Sequence, residues 1–178
     1  KITFNHKSIN ARQILTFDNK QYILADGFLY IIKGDKILSK IFLRKDALTF
    51  HLDGDFLYLG SFAGLETYKM NGNQLQFINL FPLTAGVSKI LKFNNQIIFT
   101  TYGGGFFVKN GNSVTKYQNK PFNNIENLFK IKQGYGMVSY ESGLSILDEK
   151  LNFISHINKK NGLHSNFVTT VFADTDTV

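Results

Sequence analysis

Cysteine and tryptophan are absent from these 178 residues, and proline and arginine occur twice each. Without cysteine there is no disulfide, no Cys-ligated zinc, no iron–sulfur cluster and no thiol nucleophile. Apolar runs are short. The longest, such as Phe28 to Ile32 and Ile97 to Phe99, fall far below the roughly 18 residues that a membrane-spanning helix needs. Helical spacing at i, i+3, i+4 and i+7 never persists for three turns, so an amphipathic helix is not expected anywhere. Positive charge exceeds negative, 20 Lys and Arg against 13 Asp and Glu, for a net +7. Apart from Arg12 and Arg44 these cations are lysines scattered along the chain, which favours a solvated outer surface over a groove for nucleic acid or another polyanion.

What is abundant is apolar and aromatic: 43% hydrophobic residues, 18 Phe and 8 Tyr, arranged periodically. A glycine precedes or opens an apolar strand at Gly27, Gly64, Gly105 and Gly143, in steps of 37, 41 and 38 residues. Turn signals centred on Gly34, Gly72, Gly111 and Glu149 keep the same period, with steps of 38, 39 and 38. Each period reads strand, turn, strand, turn, strand, turn, strand. In one of them Asp53-Gly54 and Asn71-Gly72 are strong hairpin signals between apolar runs.

Four short antiparallel strands repeated every forty or so residues is the pattern of a β-propeller blade. A lone four-stranded sheet cannot cover both faces of so aromatic a sequence, so neighbouring blades must. An immunoglobulin-like sandwich also has many short strands but gives no reason for a strict repeat. The expected fold is therefore all-β, a partial propeller of four complete four-stranded blades near 13–43, 46–81, 87–118 and 125–158. Segments 1–5 and 166–173 are expected as edge strands of two further blades, as in a piece of a longer repeat protein.

Several constellations that suggest chemistry have a plainer reading. Gly103-Gly104-Gly105 precedes the strand-forming Phe106-Phe107-Val108 and not a helix, so it reads as a tight turn, not a phosphate cradle. His6, His51, His156 and His164 lack metal-ligand spacing, and none is paired with a nearby Ser and Asp in a nucleophile elbow. Asp53 with Asp55, and Asp174 with Asp176, have D-x-D spacing without the remaining oxygens of a calcium loop, so turn-capping is expected. No catalytic residue, metal or cofactor is expected.

A ligand site should lie where loops between second and third strands meet those between blades. The first group offers Phe62, Tyr102, Tyr140, Glu141 and Ser142, and the second Arg12, Lys45, Asp46, His164 and Asn166. Aromatic platforms flanked by hydrogen-bonding groups suit sugars and peptides.

Residues 53–65, DGDFLYLGSFAGL, resemble the two-component regulator propeller repeat through Asp53, Gly54, Tyr58, Leu59, Gly60, Ser61, Gly64 and Leu65. The opening of that repeat is similar to residues 161–176, through Gly162, Leu163, Ser165, Asn166, Val168, Val171 and Asp174. The other periods carry Ala25-Asp26, Thr100-Thr101 and Ser139-Tyr140 where the pattern has Gly-Thr. The resemblance implies a periplasmic ligand-sensing module of a two-component receptor, responsive to glycans. Its expected partners are an oligosaccharide or other small molecule, the remaining blades of the same protein, and a second copy in a homodimer. Nucleic acid and direct membrane contact are not expected. The alternatives are a scaffold propeller that binds another protein and, behind it, a glycan lyase or hydrolase, for which Glu141 is the best-placed acid.

Overall fold

A computed structural model of the chain describes residues 2–4, 7–117, 125–132, 134–168 and 171. Among these the chain is all-β, with eighteen strands and no helix. It divides into two compact units, 1–87 and 88–178.

The first unit opens with strands β1 (Ile2–Phe4) and β2 (Lys7–Ile9), an antiparallel pair with Phe4 opposite Lys7. One four-stranded sheet follows, of β3 (Ala11–Phe17), β4 (Lys20–Ala25), β5 (Phe28–Lys33) and β6 (Lys36–Phe42), in sequence order. The second sheet repeats it with β7 (Ala47–Asp53), β8 (Phe56–Ser61), β9 (Gly64–Asn71) and β10 (Gln74–Pro82). In the second unit, β11 (Val87–Phe93), β12 (Gln96–Thr101), β13 (Gly105–Asn110) and β14 (Ser113–Lys116) form one sheet. The last contains β15 (Ile125–Ile131), β16 (Gly134–Ser139), β17 (Gly143–Leu147) and β18 (Phe153–Ile157). Each strand pairs only with its chain neighbours. These are four propeller blades.

The burial pattern explains why a blade needs partners. Central strands are covered on both faces: Tyr22 to Ala25 on β4 and Leu29 to Ile32 on β5 are all buried, whereas β6 is mostly exposed. One face of the first sheet, Tyr22, Leu24, Leu29 and Ile31, packs on Phe50, Leu52, Leu57 and Leu59 of the second. In the second unit Ile98 and Phe106 pack in the same way on Leu128, Tyr135, Met137 and Leu147. Continuous apolar runs on inner strands and alternation on outer ones follow directly from this stacking.

Polar side chains lock the inner strands together. The Gln13 amide on β3 donates to the Phe50 carbonyl at 2.9 Å, and its oxygen accepts the Phe50 N–H and the Thr49 hydroxyl, each at 2.9 Å. It thus substitutes for a missing strand-to-strand ladder between blades. In the second unit Ser88 bonds Thr100 at 2.8 Å and donates to the Ile125 carbonyl at 3.2 Å. We expect Gln13→Leu to lose about 2 kcal/mol, because it strands the N–H of buried Phe50 without a partner. Urea unfolding measures that loss, and an unchanged midpoint would refute the bridging role.

Three expectations are corrected. Lys7–Ile9 is a strand that no turn signal announces, and it pairs with Ile2–Phe4. Residues 167 and 168 are not strand, because no neighbouring strand among the described residues offers them a ladder; the rest of the expected strand 166–173 lies largely outside those residues. Arg12 stands within β3 and not in a loop.

Candidate functional site

The turn joining second to third strand holds Asp26-Gly27, Phe62-Ala63, Tyr102 to Gly104, and Tyr140 to Ser142 in the four blades. Three of the four begin with an aromatic residue that is left in water: Phe62 at 58%, Tyr102 at 45% and Tyr140 at 47% exposure. A buried hydroxyl residue, Ser61, Thr101 or Ser139, immediately precedes each ring. Ser61 accepts the Ala63 N–H at 3.2 Å and donates to the Gly64 carbonyl at 3.3 Å. Thr101 likewise donates to the Gly105 carbonyl at 3.4 Å. The Phe62 and Tyr102 rings therefore project from turns whose backbone groups are tied down, an arrangement that would limit the entropy lost on binding a ligand. Gly103 to Gly105 serve such a turn and lead into β13.

In the first unit the Phe62 ring lies against Gly86, so close that a Cβ there would meet it at 2.7 Å. Asp46 lies beside this turn, one residue before Ala47, which is in register with Ser61. Arg44 grips the Asp46 carboxylate with two bonds, Nε to Oδ1 at 2.5 Å and Nη2 to Oδ2 at 3.2 Å. Through Nη1 Arg44 also bonds Glu66, whose second oxygen accepts the Tyr68 hydroxyl. Glu66 is only 5% exposed. The bond from Arg44 outweighs burial and holds the Asp46 carboxyl below the usual carboxylate range, while Arg44 itself is pushed up by the same bond. Burial, then the bond to Glu66, pushes the Tyr68 phenol far up, so it stays a donor. Lys45 and Arg12 are exposed.

In the second unit Tyr140 meets Phe167 edge to face, at 5.2 Å and 79°. The segment carrying Phe167 is folded by its own polar side chains. The Asn166 oxygen accepts the Lys159 N–H at 2.7 Å, Asn161 accepts the Asn158 N–H at 2.6 Å, and Ser165 accepts the Phe167 N–H at 3.1 Å. Asn166 thus shapes the shelf on which Phe167 stands. His164 and Glu141 are exposed and Ser142 is half-buried.

Among the described residues no three His, Cys, Asp or Glu side chains come together in a way that could hold a metal ion. An open depression of 430 Å³, lined by Asp148, Glu149, Lys150 and Asn152, sits at the other end of β17. Its Asp148 accepts the N–H groups of Lys150 and Asn152 and the Asn152 amide, which closes the turn and lowers its pKa.

Arg44, Glu66, Tyr68 and Phe167 are absent from the sequence-derived set. A charged residue in the apolar alternation of β9 was the one signal for Glu66.

Repeated four-stranded blades define a β-propeller segment. No family model matches the chain, and no curated protein matches it. Solved structures with its fold include the extracellular domain of a hybrid two-component system from B. thetaiotaomicron, at 15% identity and TM-score 0.65 over 84% of this chain. The extracellular domain of a one-component system from the same organism gives 18% and 0.63 over 86%. The chain spans only 22% and 23% of their lengths. A computationally designed protein, Ika4, matches at 9% identity and TM-score 0.60, over 88% of this chain and 96% of its own. These likenesses are of fold.

Proposed function

We propose that the chain is part of an extracytoplasmic ligand-sensing propeller of a two-component signalling receptor, and that it takes a saccharide on its aromatic turns. The observation that carries this reading is the repetition of an exposed ring at one turn position in three successive blades, each behind a buried hydroxyl residue, two of which, Ser61 and Thr101, tie their turns. Rings left in water at a fixed place cost stability and gain nothing for the core, but they offer flat faces to the C–H groups of a sugar. The repeat-like segments 53–65 and 161–176 support the receptor context. So does the likeness of fold to the extracellular domains of two-component and one-component systems.

Calorimetric titration with a panel of soluble oligosaccharides tests it. We expect at least one to bind, and Phe62→Ala, Tyr102→Ala or Tyr140→Ala to weaken a ring's own ligand by roughly 5–10-fold. Absence of binding across the panel would remove the saccharide reading. Turnover of a bound saccharide that stops in Glu141→Gln would make the protein an enzyme instead.

A further inference from the structure

We infer that Phe167 is a saccharide-binding residue: together with Tyr140 it forms a two-walled aromatic corner that receives one sugar unit. The inference rests on the saccharide reading of the aromatic turns, and its failure can be told from the failure of that reading.

The corner exists because two stretches of the second unit are fastened to each other. Tyr140 opens the turn between β16 and β17, and β17 begins at Gly143. Leu163 is seated against that glycine, its Cδ1 3.2 Å from where a Cβ would stand. The N–H of Leu163 donates to the Asn158 carbonyl at 2.9 Å, and the N–H of Asn161 donates to the same oxygen at 3.1 Å. The Asn158 side chain accepts the Lys160 N–H at 2.8 Å, and the Asn161 amide donates to the carbonyl of His156, on β18, at 2.7 Å. The shelf that carries Phe167 is thus tied both to the end of β18 and to the Tyr140 turn. The backbone beneath the rings therefore sets their meeting at 5.2 Å and 79°.

Both walls face water, Tyr140 at 47% and Phe167 at 60% exposure. Perpendicular rings leave a re-entrant angle between the face of one and the face of the other. A pyranose in that angle lays the C–H groups of one face on the first ring and those of an edge on the second, whereas a lone ring covers one face only. Exposed Glu141 follows the first ring, and Ser165 and Asn166 precede the second. Two partly exposed rings with polar neighbours fall far short of the roughly 1,200 Å² that a stable protein–protein interface buries. They suffice for one sugar unit, which needs a small apolar platform with hydrogen-bonding groups beside it.

A second perpendicular pair provides the comparison. Tyr68 and Phe77 meet at 5.6 Å and 74°, and Phe77 is 55% exposed, but these residues lie opposite each other on β9 and β10 and not at a turn. That pair is cross-strand packing within a blade.

The chain contains no tryptophan, so Phe167→Trp keeps the wall and places a single indole in the corner, and Phe77→Trp is the control. Both variants and the wild type are titrated with maltohexaose, cellohexaose, xylohexaose and mannohexaose. With a hexaose that the wild type binds by calorimetry, the indole emission of Phe167→Trp should change with the calorimetric midpoint and that of Phe77→Trp should not. Phe167→Ala should weaken the same hexaose roughly 5–10-fold, and Tyr140→Ala combined with it should lose less than the product of the two single losses. Far-ultraviolet circular dichroism establishes that each variant is folded. A hexaose that binds the wild type while the indole of Phe167→Trp stays silent, or while folded Phe167→Ala keeps full affinity, would overturn the inference and leave the saccharide reading standing. Losses that multiply in full would put the two rings on different sugar units and overturn the single corner. If none of the four binds, the corner and the saccharide reading fall together.

Discussion

Replacing Gly64 with alanine is expected to destabilise the first unit by about 3 kcal/mol or more, whereas the same change at Gly72 costs only about 1 kcal/mol. Both glycines have positive φ, +133° and +63°, so conformational strain alone does not separate them in kind. Space does. A Cβ at Gly64 would stand 2.1 Å from the Phe81 carbonyl oxygen and 3.0 Å from the Leu83 nitrogen. Both are backbone atoms of the outer strand and its exit, and neither can swing aside as a side chain would. Phe81 and Pro82 are in register with Leu65 and Gly64, so moving them opens the end of the β9–β10 ladder. At Gly72 nothing lies within 4 Å. For a chain of this size the difference corresponds to a melting temperature lower by roughly 6–12 °C for Gly64→Ala and by a few degrees for Gly72→Ala. Calorimetry of the two variants decides it: equal losses would mean that the outer strand yields freely and that the close approach carries no constraint.

That approach is also why the repeat could be read from the sequence. At Gly27 a Cβ would meet the Arg44 carbonyl oxygen at 2.7 Å, and at Gly143 the Ile157 carbonyl oxygen at 2.4 Å. The third strand of a blade begins under the end of the fourth, and only glycine fits there, so the period of the fold is written as a period of glycines. The Asn-Gly and Asp-Gly turns were legible for a similarly local reason. Phe62, Tyr102 and Tyr140 followed once the period was known, since each comes directly after the second strand of its blade, two or three residues before its glycine. What stayed hidden depends on partners far along the chain. The contact of Arg44 with Glu66 spans 22 residues and follows no spacing rule. Strand β2 has no glycine to announce it, and Phe167 and Val168 have no ladder to join among the described residues. The bond that the Asn166 side chain accepts from the Lys159 N–H likewise follows no repeat position.

Arg44→Met is expected to cost about 3–4 kcal/mol at neutral pH, and adding Glu66→Leu to it should restore most of that loss. The asymmetry follows from burial. The Glu66 side chain is 7% exposed and that of Arg44 27%, so removing the guanidinium leaves a carboxylate with little water and only the Tyr68 hydroxyl to stabilise it. Removing the carboxylate instead leaves Arg44 with both bonds to Asp46 and partial access to solvent, which is why Glu66→Leu alone should be the milder single change, at about 1–2 kcal/mol. The double variant buries leucine beside Leu57 and Leu59 and frees Tyr68 of a charged neighbour. Urea unfolding of wild type, both single variants and the double variant closes the cycle, and simple additivity of the two losses would show that the pair is not coupled. If the cycle closes as expected, an apolar pair is nearly as stable as the ionic one at this position. The ionic pair must then be retained for something other than stability, and at its outer end Arg44 holds both oxygens of Asp46.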